Sequence, residues 1–434
     1  MSIEVITLVM FGSIFLLLAM GLPIAFVLGS IAVAVTYFLY GHNALITIVF
    51  STFSMMWQIL FIAIPLFIFM GAVLEKSGIA EGLYEAMHRW AGSINGGLAM
   101  ATVTVCVFFA AMTGITGATT ITLGIIALPA MLSRGYDKNL ALGSILGGGT
   151  LAILIPPSIP MVLIALFTRQ SAGKMLIAGI LPGLLISCMF IMYIAIKGLV
   201  QPESCPAHSQ RFTLREKIIF SRKMIFPLII IGGVLGSIFF GFATPTEASA
   251  IGAVGVVLST IVNRSFSWRI IKEAIYATFR LTNIIMWIAF GAASFSTTYS
   301  ALGGMDFIQE TIVGLQVNPW MIFTVICLII IILGCFLDPT SIIMIVSPIS
   351  FEVITASGFD PTWFGIIFVI CLEIGYITPP FGFNLFYLKA VAPRTISIAD
   401  IIGSVVPFLL ILLMSLVLFA IFPQVVLWLP NMMK

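Results

Sequence analysis

Apolar residues run through this chain in blocks of about twenty, the length a helix needs to cross the ~30 Å hydrocarbon core of a bilayer. Ten such blocks centre near residues 12, 31, 62, 150, 186, 233, 255, 288, 378 and 412, divided by polar or Gly/Pro breaks. Two more apolar stretches, 97–132 and 320–350, are interrupted centrally, at Thr113-Gly-Ile-Thr-Gly117 and at Asp338-Pro339. Each is expected to form a helical hairpin that enters and leaves on one side. Leu74 to Gly92 and Phe266 to Arg280 mix charges with Leu, Met, Trp, Ile and Tyr. That is the pattern of helices lying in the interface, with Arg and Trp at headgroup depth and the apolar face inward; an ordinary cytoplasmic loop is the other reading.

The pattern occurs twice. Leu154-Ile-Pro-Pro-Ser-Ile-Pro160 breaks one span and Tyr376-Ile-Thr-Pro-Pro-Phe-Gly382 another. Each break follows a hairpin whose second arm ends in a proline-containing exit, Leu128-Pro129-Ala130-Met131 or Ser347-Pro348-Ile349-Ser350. The order implies two repeats, 1–223 and 224–434. Each holds scaffold spans, an arm helix, a hairpin (97–132 or 320–350) and a broken span (140–168 or 362–390).

Lys and Arg accumulate in cytoplasmic loops. With the N-terminus outside, the alternation of spans leaves only Arg169, Lys174 and Lys434 of the 19 basic residues on the outer side. This layout requires both hairpins to be re-entrant, and the two repeats then start on opposite sides, the inverted topology of secondary transporters. It implies a multi-pass membrane chain with both termini on the outer side, which for a bacterial inner membrane is the periplasm. The opening Met-Ser-Ile-Glu lacks a basic n-region and a cleavage site, so the first block is expected to be a retained span.

Composition narrows the class. Of 434 residues, 61% are hydrophobic and 8% charged, and the mean hydropathy is +1.22, far from the roughly one-quarter charged composition of soluble domains. The longest polar stretch, Gln201 to Arg215, is only a loop, which leaves one integrated all-α membrane domain. The net charge of +3 calls for no nucleic acid. Cys106, Cys188, Cys327, Cys335 and Cys371 lie in apolar stretches and Cys205 in a loop; lacking metal-ligand spacing, they read as buried small hydrophobes. His42, His88 and His208 occupy loop or interface positions, which disfavours an intramembrane enzyme. Two inverted, broken halves disfavour a channel.

A double proline inside a span removes backbone donors and leaves carbonyls unpaired. Such backbone persists at membrane depth only against protein or a water-filled cavity, so the breaks and hairpin tips are expected to converge on a polar transport site. Carbonyls and hydroxyls of Thr113, Thr116, Ser158, Thr340 and Thr378 can surround a hard cation such as sodium. Half-helix N-termini present positive ends to a carboxylate. Thr113, Thr116, Thr119, Ser158, Thr340 and Asn384 are the groups offered to the cargo. Thr244-Pro-Thr-Glu247 reads as a capping box. Asp338 reads both as an N-cap and as a hairpin-tip site residue. Glu373 has no capping role, and is either a support of the site or a buried partner to backbone donors.

These motifs together resemble the large membrane subunit, DctM type, of tripartite ATP-independent periplasmic (TRAP) transporters. The resemblance runs nearly end to end. It rests on Gly21-Leu-Pro-Ile-Ala-Phe26, Ile64-Pro-Leu-Phe67, Met70-Gly71, the tip Thr113 to Thr120, Arg134-Gly-Tyr-Asp-Lys138 and Leu154 to Met161. In the second half it rests on Thr244-Pro-Thr-Glu-Ala248, Leu337-Asp338, Leu372-Glu-Ile-Gly375, Thr378-Pro-Pro380, Gly382 and Asn384-Leu-Phe386. The resemblance implies an elevator-type, sodium-driven carrier of a small organic acid such as a C4-dicarboxylate, a sialic acid or another sugar or keto acid. It also implies a small four-helix membrane subunit (DctQ type) and a periplasmic substrate-binding protein (DctP type). Two or more sodium ions are implied, at Thr113, Gly114, Thr116, Gly117, Ile155, Pro156 and Ser158, and at Gly334, Asp338, Thr340, Thr378, Pro379 and Gly382. Many relatives carry Ser-Gly-Ser at the first tip; here Ile115 removes a hydroxyl. A stand-alone carrier of the wider ion-transporter superfamily, citrate-type or sodium/proton, is the other transport reading.

Overall fold

The computed structural model describes residues 2–91, 93–207, 213–314 and 318–433; Gly92, His208, Arg211 and Lys434 lie outside these. The first half runs α1 (Ile3–Ala19), α2 (Ile24–Tyr40), α3 (Leu45–Met56), α4 (Ala63–Lys76), α5 (Ile79–Ala91), α6 (Gly97–Thr113), α7 (Thr116–Leu132), α8 (Lys138–Thr150), α9 (Ile159–Thr168), α10 (Ala172–Ala178) and α11 (Ile180–Val200). The second runs α12 (Leu214–Phe239), α13 (Pro245–Val262), α14 (Trp268–Ala301), α15 (Gly304–Gly314), α16 (Pro319–Gly334), α17 (Pro339–Ala356), α18 (Pro361–Ile377), α19 (Phe383–Val391), α20 (Ile398–Ile421) and α21 (Pro423–Asn431). Among the described residues there is no strand.

Among the described residues, six helical segments are both long and apolar enough to cross a bilayer: Ile59–Lys76, Ala172–Val200, α13, α14, α17 and α20. The expected blocks at 12 and 31 are α1 and α2, each 17 residues long. Those at 150 and 378 are divided into α8/α9 and α18/α19 by the double prolines, since a proline N–H is missing and its ring clashes with the preceding turn. Both breaks contain a cis bond, Pro156–Pro157 and Pro379–Pro380.

The interfacial arms differ from expectation in one half. Gly78, at φ +73°, separates α5 from α4, and α5 docks on α12, where the Trp90 indole donates to Ser221 Oγ at 2.9 Å. In the second half 266–280 does not form a separate arm. The chain from the N-cap Ser267 runs unbroken through 34 residues of α14, about 51 Å at 1.5 Å per residue. It contains no proline, and its one glycine, Gly291, is taken up by close packing on α2, where a Cβ would fall 2.6 Å from the Ala25 carbonyl.

The helices of the two halves interlock. α6 packs on α8 and α16 on α18, so each hairpin's first arm lies along the broken span that follows it. The second arms cross over: α7 packs on α19 and α17 on α9. α14 lies against α2, α3 and α4. Small residues permit these approaches, as in membrane helix pairs generally; a Cβ at Gly334 of α16 would lie 2.8 Å from the Gly375 Cα of α18. Lys138 at the start of α8 pairs with Asp400 at the start of α20 at 2.5 Å. Cys205 is buried in its loop, as expected, its carbonyl accepting from the Gly96 N–H at 2.9 Å. Cys188 is exposed, contrary to its reading as a buried residue, and His88 is buried on α5.

Candidate functional site

At the first tip the chain reverses at Gly114, whose φ of +63° is left-handed and would strain any residue with a Cβ. A Cβ there would also collide with the Pro157 carbonyl oxygen, so the tip seats directly on the first break. Thr113 donates to the Phe109 carbonyl at 3.0 Å, and its hydroxyl lies 3.3 Å from that of Thr119. Ser158 donates to the Ile153 carbonyl at 2.5 Å and, as N-cap of α9, accepts from the Met161 N–H at 3.3 Å. Thr116, 2% exposed, has no hydrogen-bond partner for its hydroxyl. Ile155 and Pro156 are enclosed with it.

The second tip and break follow the same plan with less cover. Asp338 caps α17, accepting from the Ser341 N–H at 3.2 Å and from the Ser341 hydroxyl. Both expected roles therefore fall on one residue, an N-cap at a hairpin tip. Gly334 presses against Gly375. Thr378 donates to the Ile374 carbonyl at 2.6 Å, and Gly382 turns the chain at φ +35°. Pro379, Pro380 and Phe381 are exposed, with the Phe381 ring 5.7 Å from that of Phe336 beside the tip.

A cavity of about 250 Å³ joins the two halves. Gly114, Ile115 and Thr116 line it from the first tip, Asp338, Pro339 and Thr340 from the second, and Ile153, Ile159 and Pro160 from the first break. Tyr376 and Tyr387 contribute from the second broken span, while Ile68 of α4 and Leu281, Ile284 and Ile285 of α14 form the remaining wall. Helices α7, α9 and α17 all begin at this wall. They present the positive ends of their dipoles to it, with the Met161 and Ser341 N–H groups held by Ser158 and Asp338 and the Asp338 carboxylate in the lining. Among the described residues, no Lys, Arg or His belongs to the lining.

Of the expected residues, the cavity brings together Gly114, Thr116, Asp338 and Thr340. Thr113, Thr119, Ser158 and Thr378 lie behind it, their hydroxyls directed at neighbouring polar atoms. Gly117 lies under the Tyr387 ring, where a Cβ would fall 3.0 Å from the ring edge. Asn384 does not reach the cavity. Its amide donates to the Leu146 carbonyl of α8 at 3.2 Å, while its Oδ1 and the buried Thr120 hydroxyl, both near Gly149, have no partner. The sequence reading passed over Tyr376 and Tyr387, although both fall within about three turns of the Pro379–Pro380 break. The α14 wall carries no sequence signal of its own.

The model of the family described as "Tripartite ATP-independent periplasmic transporter, DctM component" matches residues 11–425. The chain is 35% identical over 399 residues, 92% of each chain, to the C4-dicarboxylate TRAP transporter large permease protein DctM of Pseudomonas aeruginosa. It is 30% identical to the ectoine TRAP transporter large permease protein TeaC of Halomonas elongata, over 98% of this chain and 99% of that one. Among solved structures it is similar to the YdaH transporter of Alcanivorax borkumensis, with a TM-score of 0.60 and 13% identity over 89% of this chain and 90% of that one. That likeness concerns the fold alone.

Proposed function

The chain belongs to the DctM family of TRAP transporter large permeases, and from that premise we propose that it carries a small organic acid inward by sodium-coupled, elevator-type transport. The observation that supports this most is the cavity itself: both hairpin tips and both broken spans line it, and three helices begin at its wall. Positive helix ends suit a carboxylate, and clustered hydroxyls and carbonyls suit a hard cation. One ion site is assigned to the first tip and break, around Thr113, Gly114, Thr116, Gly117, Ile155, Pro156 and Ser158. The other is assigned to Gly334, Asp338, Thr340, Thr378, Pro379 and Gly382. The orphaned Thr116 hydroxyl supports the first. Crossed packing of α7 on α19 and α17 on α9 supports reading 1–223 and 224–434 as inverted repeats with re-entrant hairpins. A DctQ-type small subunit and a DctP-type periplasmic binding protein are the proposed partners. The cargo class is a C4-dicarboxylate, a sialic acid or another sugar or keto acid, and two of the relatives are named for C4-dicarboxylate and ectoine.

The test is uptake into proteoliposomes containing the chain with its small subunit, supplied with binding protein and succinate, ectoine or N-acetylneuraminate. An inward sodium gradient is expected to drive accumulation. Asp338→Ala and Thr340→Ala are expected to raise the half-saturating sodium concentration severalfold. Uptake indifferent to sodium would sink the coupling, and full uptake by this chain alone would favour the stand-alone carrier.

A further inference from the structure

The cavity poses a problem of charge that the family assignment leaves open: an acid must be held where no Lys, Arg or His lines the wall and where Asp338 adds a carboxylate of its own. The donors present are neutral. Three belong to side-chain hydroxyls of residues that line it from the two halves: Thr116, buried and unpartnered on the first turn of α7, and the phenols of Tyr376 and Tyr387. The phenol rings lie 6.3 Å apart on opposite sides of the Pro379–Pro380 break. Tyr376 stacks on Phe383, centroids 6.0 Å apart and planes 25° apart, while Tyr387 covers Gly117 one residue beyond Thr116. Each ring is thereby fixed by packing, and the two phenol hydroxyls are near enough to hydrogen-bond to each other, an interaction that a bound carboxylate would replace.

We propose that Tyr376 and Tyr387 are cargo-recognition residues, whose phenolic hydroxyls, together with the Thr116 hydroxyl, donate to a carboxylate seated at the N-terminus of α7. The inference rests on the transport reading above and deepens it by naming what holds the cargo. Hydrogen bonds to an ionised acceptor are stronger than neutral ones, and in a water-poor site they give orientation as well as affinity. With no cationic side chain among the described residues of the wall, the rest of the counter-charge must arrive with co-bound ions, so the phenols set cargo affinity and the ion sites set coupling, with Thr116 shared between the two. Gly117 has a reason in this arrangement. A side chain there would push Tyr387 off the helix terminus.

The experiment uses the complete complex in proteoliposomes and whichever of succinate, ectoine and N-acetylneuraminate it carries fastest. Tyr376→Phe and Tyr387→Phe keep the ring contacts and remove only the hydroxyl. Each is expected to raise the half-saturating cargo concentration about tenfold at saturating sodium, with the half-saturating sodium concentration at saturating cargo unchanged. Equilibrium binding of the same acid to the purified complex in detergent, with thermal midpoints recorded, reads the same loss independently of turnover. Phenylalanine variants that bind and carry the cargo as the parent does would overturn the proposal. A matching rise in the sodium requirement would also overturn it, because it would place the phenols in an ion site. Absence of sodium-driven uptake by the parent complex would overturn the transport reading, and this inference with it; normal parent uptake with unaffected variants overturns this inference alone.

Discussion

Glu373 is fully enclosed in α18, and neither of its carboxyl oxygens meets a hydrogen-bond partner. The reading that made it a partner of backbone donors therefore fails, and we propose that it supports the transport site. An unmade hydrogen bond at a buried group costs about 1–3 kcal/mol, and a carboxyl at membrane depth is retained for function rather than stability. Glu373→Met, close in volume and free of polar oxygens, is therefore expected to raise the thermal midpoint of the purified complex while lowering uptake at least tenfold. A fall in both would mean that Glu373 has a stabilising partner. The residue scale is also where the sequence was least legible. The breaks and hairpin tips pointed to Thr116, Asp338 and Thr340, and the resemblance added Gly114; all four line the cavity. The sequence also offered Asn384 to the cargo, but helical phase turns that amide towards Leu146 of α8. Tyr376 and Tyr387 were passed over because an aromatic in an apolar run carries no local mark of facing a cavity.

At the scale of elements, the chain marks its helix boundaries with groups whose chemistry acts locally, and these were the most readable features. The Thr244–Glu247 capping box expected from sequence forms, with the Thr244 N–H donating to Glu247 at 2.8 Å. An equivalent box opens α12, where Glu216 accepts from the Thr213 N–H at 2.8 Å and from its hydroxyl at 2.9 Å. Those bonds, the backbone one foremost, hold the Glu216 carboxyl below the usual carboxylate range. A lowered folded value means that the stabilisation is complete above the unfolded value near 4.5 and is lost as pH falls through the folded one. Amide exchange in the first turn of α12, corrected for intrinsic rate, is therefore expected to quicken on acidification below about pH 4. Thr213→Ala should quicken it severalfold already at pH 7; unchanged exchange in that variant would show that the box does not hold the turn. The double prolines and the tip at Gly114 were legible for the same local reason. The long α14 was not. Charges in 266–280 suggested an arm, whereas helix continuity is decided by what is absent, and no Pro or flexible Gly interrupts the helix before its span begins.

For the whole molecule, the arrangement of helices follows from a constraint that acts on the entire chain: a broken backbone segment must be covered by protein or face a water-filled cavity. A hairpin tip placed against the first break covers both, the second break stays partly open, and crossing the second arms, α7 onto α19 and α17 onto α9, ties the two halves into one body around the cavity. α14, packed on α2, α3 and α4, supplies the opposing wall. This division suits an elevator in which the hairpins and broken spans move together past that wall, with the half-saturation effects predicted above confined to the moving part. Orientation is the remaining global quantity, and it rests on basic side chains rather than on packing. Excess Lys and Arg resist translocation, so the placement that leaves Arg169 and Lys174 outside predicts the side of every loop. Single cysteines in a background with the exposed native Cys188 replaced provide the measurement. Lys174→Cys is expected to react with a membrane-impermeant maleimide added to intact spheroplasts, and Lys217→Cys only after the membrane is opened. The pairing matters because 174 and 217 flank α11, one segment long and apolar enough to cross with α10. Labelling of both from the outside would remove that crossing, and with it the opposite orientation of the two repeats on which alternating access depends.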